Sequence, residues 1–380
     1  MDELKRIEKL VAIHRRKKRK KMLMIGIPTG IAAVGLLIFG GVMLSHSLKN
    51  RPASSTASRE TEAQTETSTE TETMYAAPIS ITVSLTGDCT LGTDESFYYP
   101  TSFNAFYDVN GPSYFFQNVA SVFEADDLTI VNLEGTLTTS TAREDKLYAF
   151  KGDPSYVDIL TNGSVEAANL ANNHSHDYGD ASYTDTVSAL TSAGITPFGY
   201  DETAVLDIKG VKVGLVGIYE LADHLERETQ LITNIEKVKE EGAQIVIVIF
   251  HWGNEKDTVP DSNQITLAKS AIDHGADLVA GHHAHVLQGV KEYQGKTIAF
   301  GLGNFCFGGN SSPSDMDTMI FQQTFTVGTD GTVTIEEPNL IPCRISSDPY
   351  TNNYQPTPAE GEEGERILQK IQDRSDEITL

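Results

Sequence analysis

The chain has 380 residues, with 53 acidic against 29 basic side chains and a formal net charge of -24 at pH 7. The basic residues crowd near the amino end, so the body has no basic stripe for phosphates, and nucleic-acid binding is excluded as a function class. Three scattered cysteines, Cys89, Cys306 and Cys343, form no CxxC pair and indicate neither a disulfide framework nor a thiolate zinc site.

The amino end has the pattern of a membrane anchor. Residues 14–21 are all basic or histidine, and residues 22–44 carry no charge and are rich in Leu, Ile, Val, Gly and Met. At about 1.5 Å per residue, that run spans the roughly 30 Å hydrocarbon layer as one helix. The positive-inside rule then predicts a basic cytoplasmic tail over 1–21, a transmembrane helix over 22–44, and a single-pass cell-membrane protein whose later residues are extracellular. A cleaved signal peptide is the alternative, and it fits less well because the apolar run is long and no small-x-small site closes it.

The next stretch, residues 45–77, consists mainly of Ser, Thr, Glu and Ala, with no apolar residue at helix or strand period. Such a composition buries too little to offset its ordering entropy, which predicts a disordered stalk. The folded domain is expected over 78–345. Residues 346–380 are expected to form a polar tail with a short helix over 362–375 and little core.

Strands and helices alternate through the folded part. Residues 79–85 alternate polar and apolar, whereas 245–250 are apolar throughout, as in a buried central strand. The further predicted strands are 128–131, 165–170, 211–217 and 278–280, followed by a meander of 297–302, 318–327 and 332–335. Helices are predicted over 155–160, 181–193, 229–241 and 264–274, with Gly194, Gly242 and Gly275 as C-terminal stops. This alternation predicts an α/β fold with a largely parallel core.

Polar side chains follow the predicted strands at the point where each strand ends. Because the carboxyl ends of parallel strands share one edge of a sheet, these side chains are expected to converge. Carboxylate, amide and imidazole ligands together suit a site for Mn, Fe or Zn, holding one or two ions. The set comprises Asp88, Glu134, Asn173, His174, His251, His283 and His285.

Each of these residues also has an ordinary structural explanation. Asp88 beside Gly87 could shape a turn, Glu134 could pair locally, and His251 could be a hydrogen-bonded core histidine. Residues 281–286 carry three histidines, which could be no more than a His-rich surface loop. The joint placement at strand ends favours the metal site over the separate explanations.

Six ordered motifs are similar to the CapA-type poly-γ-glutamate capsule-synthesis family, which itself resembles calcineurin-like metallophosphoesterases. The resemblance covers about residues 79–342 and implies a four-layer α/β fold, with a central β-sandwich flanked by helices and a metal centre along one edge. The motifs are Gly87-Asp88-Cys89-Thr90-Leu91-Gly92, Asn132-Leu133-Glu134, Leu170-Ala171-Asn172-Asn173-His174 with Asp177 and Gly179, His251-Trp252-Gly253-Asn254-Glu255, Gly281 to Gly289, and Gly303-Asn304-Phe305-Cys306-Phe307.

The resemblance implies a role for each matching residue. Asp88 and Glu134 match the carboxylate ligands, with Glu134 shared between two metals, and Asn173 matches the amide ligand. His174 matches the catalytic residue that faces the leaving group. The imidazole ligands are His251, His283 and His285, with His282 as a competing structural histidine. The expected Asp-x-His pattern is absent because Thr90 stands at its histidine position. Candidate substrate-binding residues are Asp177, Glu255 and Asn304.

Two functions from different classes follow. The first is a metal-dependent hydrolase or transferase that acts on poly-γ-glutamate, another anionic surface polymer or a phosphoester. The second is a non-catalytic accessory subunit that binds the polymer beside synthetase subunits at the cell membrane. A strongly acidic domain repels a polyanion at long range, so docking of the polymer would need the metal centre or bound divalent cations. A third, structural alternative is a degenerate domain that binds no metal.

Overall fold

The computed structural model describes residues 74–380, so the predicted basic tail, the transmembrane helix and almost all of the stalk lie outside the described residues. Within residues 74–380, no helix is both long and apolar enough to cross a membrane. The described part is a mixed α/β fold, as the alternation of strands and helices predicted.

Strands and helices are numbered in chain order. The strands are β1 (Ile79–Thr90), β2 (Leu128–Leu133), β3 (Thr136–Leu137), β4 (Lys151–Gly152), β5 (Ala167–Asn169), β6 (Thr196–Phe198), β7 (Ala204–Ile208), β8 (Val211–Tyr219), β9 (Ile245–His251), β10 (Leu278–His282), β11 (Val290–Tyr293), β12 (Lys296–Ala299), β13 (Asn304–Phe307), β14 (Asp317–Val327), β15 (Val333–Ile335), β16 (Asn339–Arg344) and β17 (Thr357–Pro358). The helices are α1 (Phe103–Asn110), α2 (Ala120–Phe123), α3 (Val157–Asn162), α4 (Asp180–Ser192), α5 (Glu228–Glu240), α6 (Ser262–Asp273) and α7 (Gly361–Asp376).

The larger strands form two sheets. A nine-stranded sheet has the order β17-β16-β14-β1-β2-β5-β6, with β13 also pairing with β1 and β15 with β14. Its strands β1, β2, β5 and β6 are parallel, and β14 runs antiparallel to β1. A six-stranded sheet has the order β11-β12-β10-β9-β8-β7, in which β8, β9, β10 and β12 are parallel. In each sheet, the carboxyl ends of the parallel strands therefore lie along one edge.

The buried apolar side chains form three cores, and these cores separate four layers of secondary structure. The core between the two sheets contains Ile81 of β1 and Ile247 of β9, which belong to different sheets. A second core covers the other face of the nine-stranded sheet and includes residues of α1 to α4. A third covers the other face of the six-stranded sheet with α5 and α6. The order of layers is helices, sheet, sheet, helices.

Strand β9 shows why one segment can be apolar throughout. Successive side chains of a strand point to opposite faces. Ile245, Ile247 and Ile249 therefore enter the core between the sheets, whereas Val248 and Phe250 enter the core beneath α5 and α6. Because both faces of β9 are covered, all positions from 245 to 250 can be apolar, and only the last residue of the strand, His251, is polar.

The carboxyl end of the chain departs from the prediction. The helix expected over 362–375 is α7, but the expectation of little core was wrong, because Ile367 and Ile371 are buried in the core between the sheets. Both residues lie one turn apart on the same helix face. Arg366 and Lys370 on α7 bind the buried Asp317 at the start of β14, which ties the helix to the larger sheet.

Candidate metal centre

The expected site residues do converge, but from two sheets rather than from one. Asp88 lies in β1, Glu134 just after β2, and Asn173 just beyond β5, all in the nine-stranded sheet. His251 ends β9 and His283 follows β10, both in the six-stranded sheet. Packing of the two sheets brings both sets of carboxyl ends to the same edge of the sandwich.

Asp88 is fully buried and each of its oxygens has a partner. Oδ1 accepts a 2.8 Å hydrogen bond from Nδ2 of Asn132, and Oδ2 accepts one of 3.2 Å from the backbone N–H of His283. Nδ1 of His285 lies 3.2 Å from the same Oδ2. Burial by itself raises the pKa of Asp88, but the hydrogen bond from His285 and the neighbouring imidazoles bring it below its usual range.

Glu134 lies at the centre of the candidate site, where three imidazole rings surround its carboxylate. Both carboxylate oxygens are buried without a hydrogen-bond partner among the described residues. Oε1 lies 3.7 Å from Nε2 of His251 and 3.9 Å from Nε2 of both His174 and His285. Burial raises the pKa of Glu134 to about 8, because the charged form loses hydration that no donor replaces.

His251 is held by two amides. Its Nε2 donates a 2.7 Å hydrogen bond to Oδ1 of Asn173, and its Nδ1 accepts one of 3.3 Å from Asn132. The Oδ1 atom of Asn132 accepts in turn from Asn169 at 2.9 Å. Asn132 thus joins Asp88 to His251 across the two sheets. Asn132 belongs to the Asn-Leu-Glu motif, but the sequence did not identify it as a site residue. Only the structure shows that one side chain contacts both Asp88 and His251.

The three histidines at the end of β10 and just after it make different contacts. Nε2 of His282 donates to the carbonyl oxygen of Thr86 at 2.9 Å, which fits the structural role expected for it. His283 and His285 have positive φ angles of 89° and 56°, conformations that side-chain-bearing residues rarely adopt. Nδ1 of His282 and Nδ1 of His283 are both buried without a partner among the described residues. Nδ1 of His285 instead shares one N–H between Oδ1 of Asn304 at 2.9 Å and Oδ2 of Asp88 at 3.2 Å.

His174 faces Glu134 with one ring nitrogen and is held by the other. Its Nδ1 donates to Oδ2 of Asp177 at 2.7 Å, which leaves Nε2 toward Glu134. Asp177 also accepts from Nζ of Lys146 and from the backbone N–H of Phe150, both at 2.5 Å. Burial lowers the pKa of His174 against the opposing effect of Asp177. Nothing in the sequence pattern singled out Lys146.

The three candidate substrate-binding residues lie in different surroundings. Asp177 is buried behind the ring of His174, where it orients that ring rather than facing solvent. Asn304 is buried against His285, to whose carbonyl oxygen it donates at 3.3 Å. Only Glu255 is exposed, on the loop after β9. Thr90, at the position where the resemblance expects an imidazole, has a buried hydroxyl oxygen with no hydrogen-bond partner in the described chain.

The pKa values of the other imidazoles are shifted in opposite directions. Burial lowers the pKa of His283 to about 4 and that of His251 well below its usual value. For His285, burial acts in the same sense, but the charge of Glu134 and the hydrogen bond to Asp88 raise the pKa to about 10. The two carboxylates beside His285 are thus the groups that favour its charged form.

The donor set fits one or two divalent ions. Two groups of side chains have their donor atoms within 4.8 Å of one another, and Glu134 belongs to both. One group adds His251 and His283, and the other adds Asp88 and His285. Buried polar atoms normally have partners, so the orphaned oxygens of Glu134 and the orphaned Nδ1 of His283 are what a metal-binding site requires.

Comparison of the sequence with known families and proteins gives a consistent result. The family model described as "Bacterial capsule synthesis protein PGA_cap" matches residues 82–309, more than half of the chain. The PGA biosynthesis protein CapA of Bacillus subtilis (strain 168) is 29% identical over 218 residues, covering 52% of this chain and 57% of that protein. The capsule biosynthesis protein CapA of Bacillus anthracis is 30% identical over 223 residues, covering 52% and 54%. The chain therefore spans about half the length of the curated relatives that it matches.

Among solved structures, a hypothetical protein from Thermus thermophilus has a TM-score of 0.43 at 16% identity, covering 69% of this chain and 99% of that one. The NAD nucleotidase of Haemophilus influenzae has a TM-score of 0.40 at 10% identity, covering 78% and 56%. Scores this low support no conclusion about activity. The family match stands on sequence, and the chain belongs to the bacterial capsule synthesis protein PGA_cap family.

Proposed function

We propose that this chain is an extracellular, membrane-anchored protein of poly-γ-glutamate capsule synthesis or export, with a calcineurin-like metal centre that acts on an anionic surface polymer or on a phosphoester. The family match and the names of the Bacillus relatives support the capsule role. The geometry of the site supports the metal-dependent chemistry.

One observation carries the proposal. The Glu134 carboxylate is fully buried, accepts no hydrogen bond from the described residues and has three imidazole nitrogens within 3.9 Å of Oε1. Ionising Glu134 in this position carries a desolvation cost on the order of several kcal/mol, as for a poorly paired buried ion, and that cost raises the pKa of Glu134. A divalent cation between Glu134 and the imidazoles offsets that cost.

The residues that would hold the metal are Asp88, Glu134 and His285 in one group and Glu134, His251 and His283 in the other, with Asn173 beside His251. Bound there, a divalent ion supplies a water that ionises near neutral pH and positive charge for a phosphoryl oxygen.

His174 has the geometry of a proton donor to a leaving group. Its Nδ1–H is committed to Asp177, so only Nε2 is available on the side of Glu134, and Nε2 can donate a proton only in the imidazolium form, which the charge of Asp177 favours. Asp177 is itself held by Lys146 and by the Phe150 backbone, which fixes the orientation of the imidazole. A positioned imidazole contributes about 100- to 10,000-fold as a general acid. His174 is the catalytic residue in this proposal.

The test uses the purified full chain. We expect at least one Mn or Zn ion per chain by elemental analysis, and hydrolysis of bis(p-nitrophenyl) phosphate that requires the added metal. Glu134→Gln removes both metal binding and turnover, whereas Glu236→Gln on the exposed face of α5 retains both. A chain that holds no metal and whose melting temperature does not change with any divalent ion overturns the proposal. Metal binding without turnover, together with tight binding of poly-γ-glutamate, supports the non-catalytic accessory role instead.

The anchor and the partners are separate parts of the proposal. The uncharged run over 22–44 supports a single span, with the domain facing outward and close to synthetase subunits at the cell membrane. Protease added to intact cells should then degrade the domain and leave the amino-terminal tail protected. Protection of the whole chain contradicts the proposed orientation.

A further inference from the structure

Three aromatic rings, here called the aromatic row, pack against one another beside the site: Phe150, Tyr148 and Phe97. The ring of Phe150 lies 4.5 Å from that of His174, measured between centroids. Tyr148 lies 6.3 Å from Phe150 at an interplanar angle of 9°, and Phe97 lies edge-on to both, 5.7 Å from Tyr148 and 6.4 Å from Phe150. Phe150, the inner ring, is 5% exposed, and Tyr148, the outer ring, is 45% exposed.

The inner end of the row reaches the second group of imidazoles. Phe307 lies 5.2 Å from the ring of His285, between centroids. A Cβ added to Gly309 would come within 2.5 Å of Cζ of Phe307 and 3.1 Å of Cζ of Phe150, so both rings border the same narrow space. The metal-centre candidates therefore have an apolar aromatic wall on one side.

The loop that carries the row is held in place. Lys146 binds Asp177, and Arg143 binds the buried Asp94 with an Nη2–Oδ2 distance of 2.7 Å. The backbone N–H of Ala149 donates to the same Asp94 oxygen at 2.7 Å. A surface held by buried carboxylates is pre-organised, which lowers the entropic cost of binding a ligand.

The outer end of the row presents an aromatic face and an unused hydroxyl. Tyr148 is nearly half exposed, Leu147 beside it is 63% exposed, and the Tyr148 hydroxyl makes no hydrogen bond to any described residue. Exposed apolar surface beside a polar site is a common mark of ligand binding. A tyrosine face accepts the C–H side of a saturated ring, and its hydroxyl can pair with ring hydroxyls.

Charge argues against an anionic occupant. Within residues 138–150 the two cations, Arg143 and Lys146, are already engaged by Asp94 and Asp177. Glu95, 70% exposed at its side chain, adds negative charge next to Arg143. A carboxylate-bearing segment would therefore meet no available cation in this loop, whereas an uncharged hydroxylated ring would not need one.

We propose that the aromatic row is a subsite for a neutral sugar ring whose attached phosphoester lies at the metal centre. This inference rests on the proposed function, because it names the class of substrate, a sugar phosphate ester, that the site takes. Tyr148 supplies the ring contact, and Phe150 continues the wall to His174.

The test compares two phosphoesters by calorimetry on the full chain with Mn²⁺. Glucose 1-phosphate carries the ring, and glycerol 3-phosphate carries the same phosphate without it. We expect glucose 1-phosphate to bind about fivefold more tightly, the effect of one ring contact. Tyr148→Ala should abolish that difference without weakening glycerol 3-phosphate. Tyr350→Ala, which removes a ring that is 86% exposed outside the row, should leave the difference intact.

Other results overturn the inference. Equal weakening of both ligands by Tyr148→Ala would show that the residue acts on the site and not on the ring. Tighter binding of phenyl phosphate than of glucose 1-phosphate would mean that the row selects a flat aromatic group. If neither phosphoester binds, the metal-dependent function fails, and maltohexaose, which has rings but no phosphate, decides the subsite by itself. Tyr148-dependent binding of maltohexaose supports the sugar subsite, and no binding overturns it.

Discussion

Nε2 of His251 lies 3.7 Å from Oε1 of Glu134, although the two residues belong to different sheets and both are fully buried. Their contact joins the ends of β2 and β9 across the sandwich. Because both side chains are fully buried and Glu134 accepts no hydrogen bond from the described residues, an ionised Glu134 needs a nearby positive charge to offset its desolvation.

Glu134→Gln should remove the stabilisation that a metal confers. A ligand that binds only the native state adds about 2.7 kcal/mol at 100 times its dissociation constant. We expect Mn²⁺ or Zn²⁺ to raise the melting temperature of the unsubstituted chain and to leave that of Glu134→Gln unchanged, as followed by calorimetry. An equal rise for both chains would place the bound metal elsewhere.

Substitutions of His282 and His283 should have different effects on stability and on metal binding. His282→Ala loses the hydrogen bond to Thr86 and opens a cavity, so the metal-free chain should lose about 2–4 kcal/mol of unfolding free energy. His283→Ala deletes a ring whose Nδ1 has no partner among the described residues, so it should cost less than about 1.5 kcal/mol and abolish the metal-induced stabilisation. Urea unfolding with and without metal measures both effects. If His282→Ala, and not His283→Ala, abolished the metal-induced stabilisation, His282 would be the ligand.

Asp177→Asn should reduce turnover without releasing the metal. The carboxylate fixes Nδ1–H of His174, and an amide at that position can hold the ring in the wrong tautomer. We expect a loss of about 100-fold or more in kcat for bis(p-nitrophenyl) phosphate, with metal content unchanged. Asp180→Asn, three residues further along at an exposed position, is the matched control. Loss of metal in Asp177→Asn would instead mean that the change disrupts the whole loop.

The attachment of α7 should weaken in acid. Although burial raises it, the pKa of Asp317 is held below its usual value by hydrogen bonds from Arg366 and Lys370. A depressed pKa in the folded state stabilises the protein above the unfolded value of about 3.9, and this contribution is lost as pH falls through the lower folded pKa. Asp317→Asn should cost about 2 kcal/mol at pH 7, reduced from larger values because Arg366 is half exposed, and much less near pH 2. Equal losses at both pH values, measured by urea unfolding, would exclude the ion pair as the cause.

Much of the fold follows from local pattern. The four helices predicted between strands are α3 to α6, with ends within two residues of the predicted ones, because amphipathic spacing and the glycine stops are local signals. Eight strands were missed, namely β3, β4, β6, β7, β11, β13, β16 and β17. Six of them have only two to four residues, which is too few to show a period. Helix α7 was predicted as a helix but not as core, because only two isoleucines reach inward among many charges.

The sequence by itself was enough to name residues that the fold brings together at one edge of the sandwich. Asp88, Glu134, Asn173, His174 and His251 each follow an apolar run, and strand ends on parallel sheets meet at an edge, so local pattern was enough to name them.

Only the tertiary structure decided which contacts each of those residues makes. Two sheets, not one, supply them; Asp177 lies behind His174; Asn132 joins Asp88 to His251; and His282 turns to Thr86 while His283 faces the site. The relations between the sheets arise from the packing of β1 and β2 against β9 and β10, whose residues are far apart in the chain. No local period in the sequence specifies which side chains meet across the two sheets.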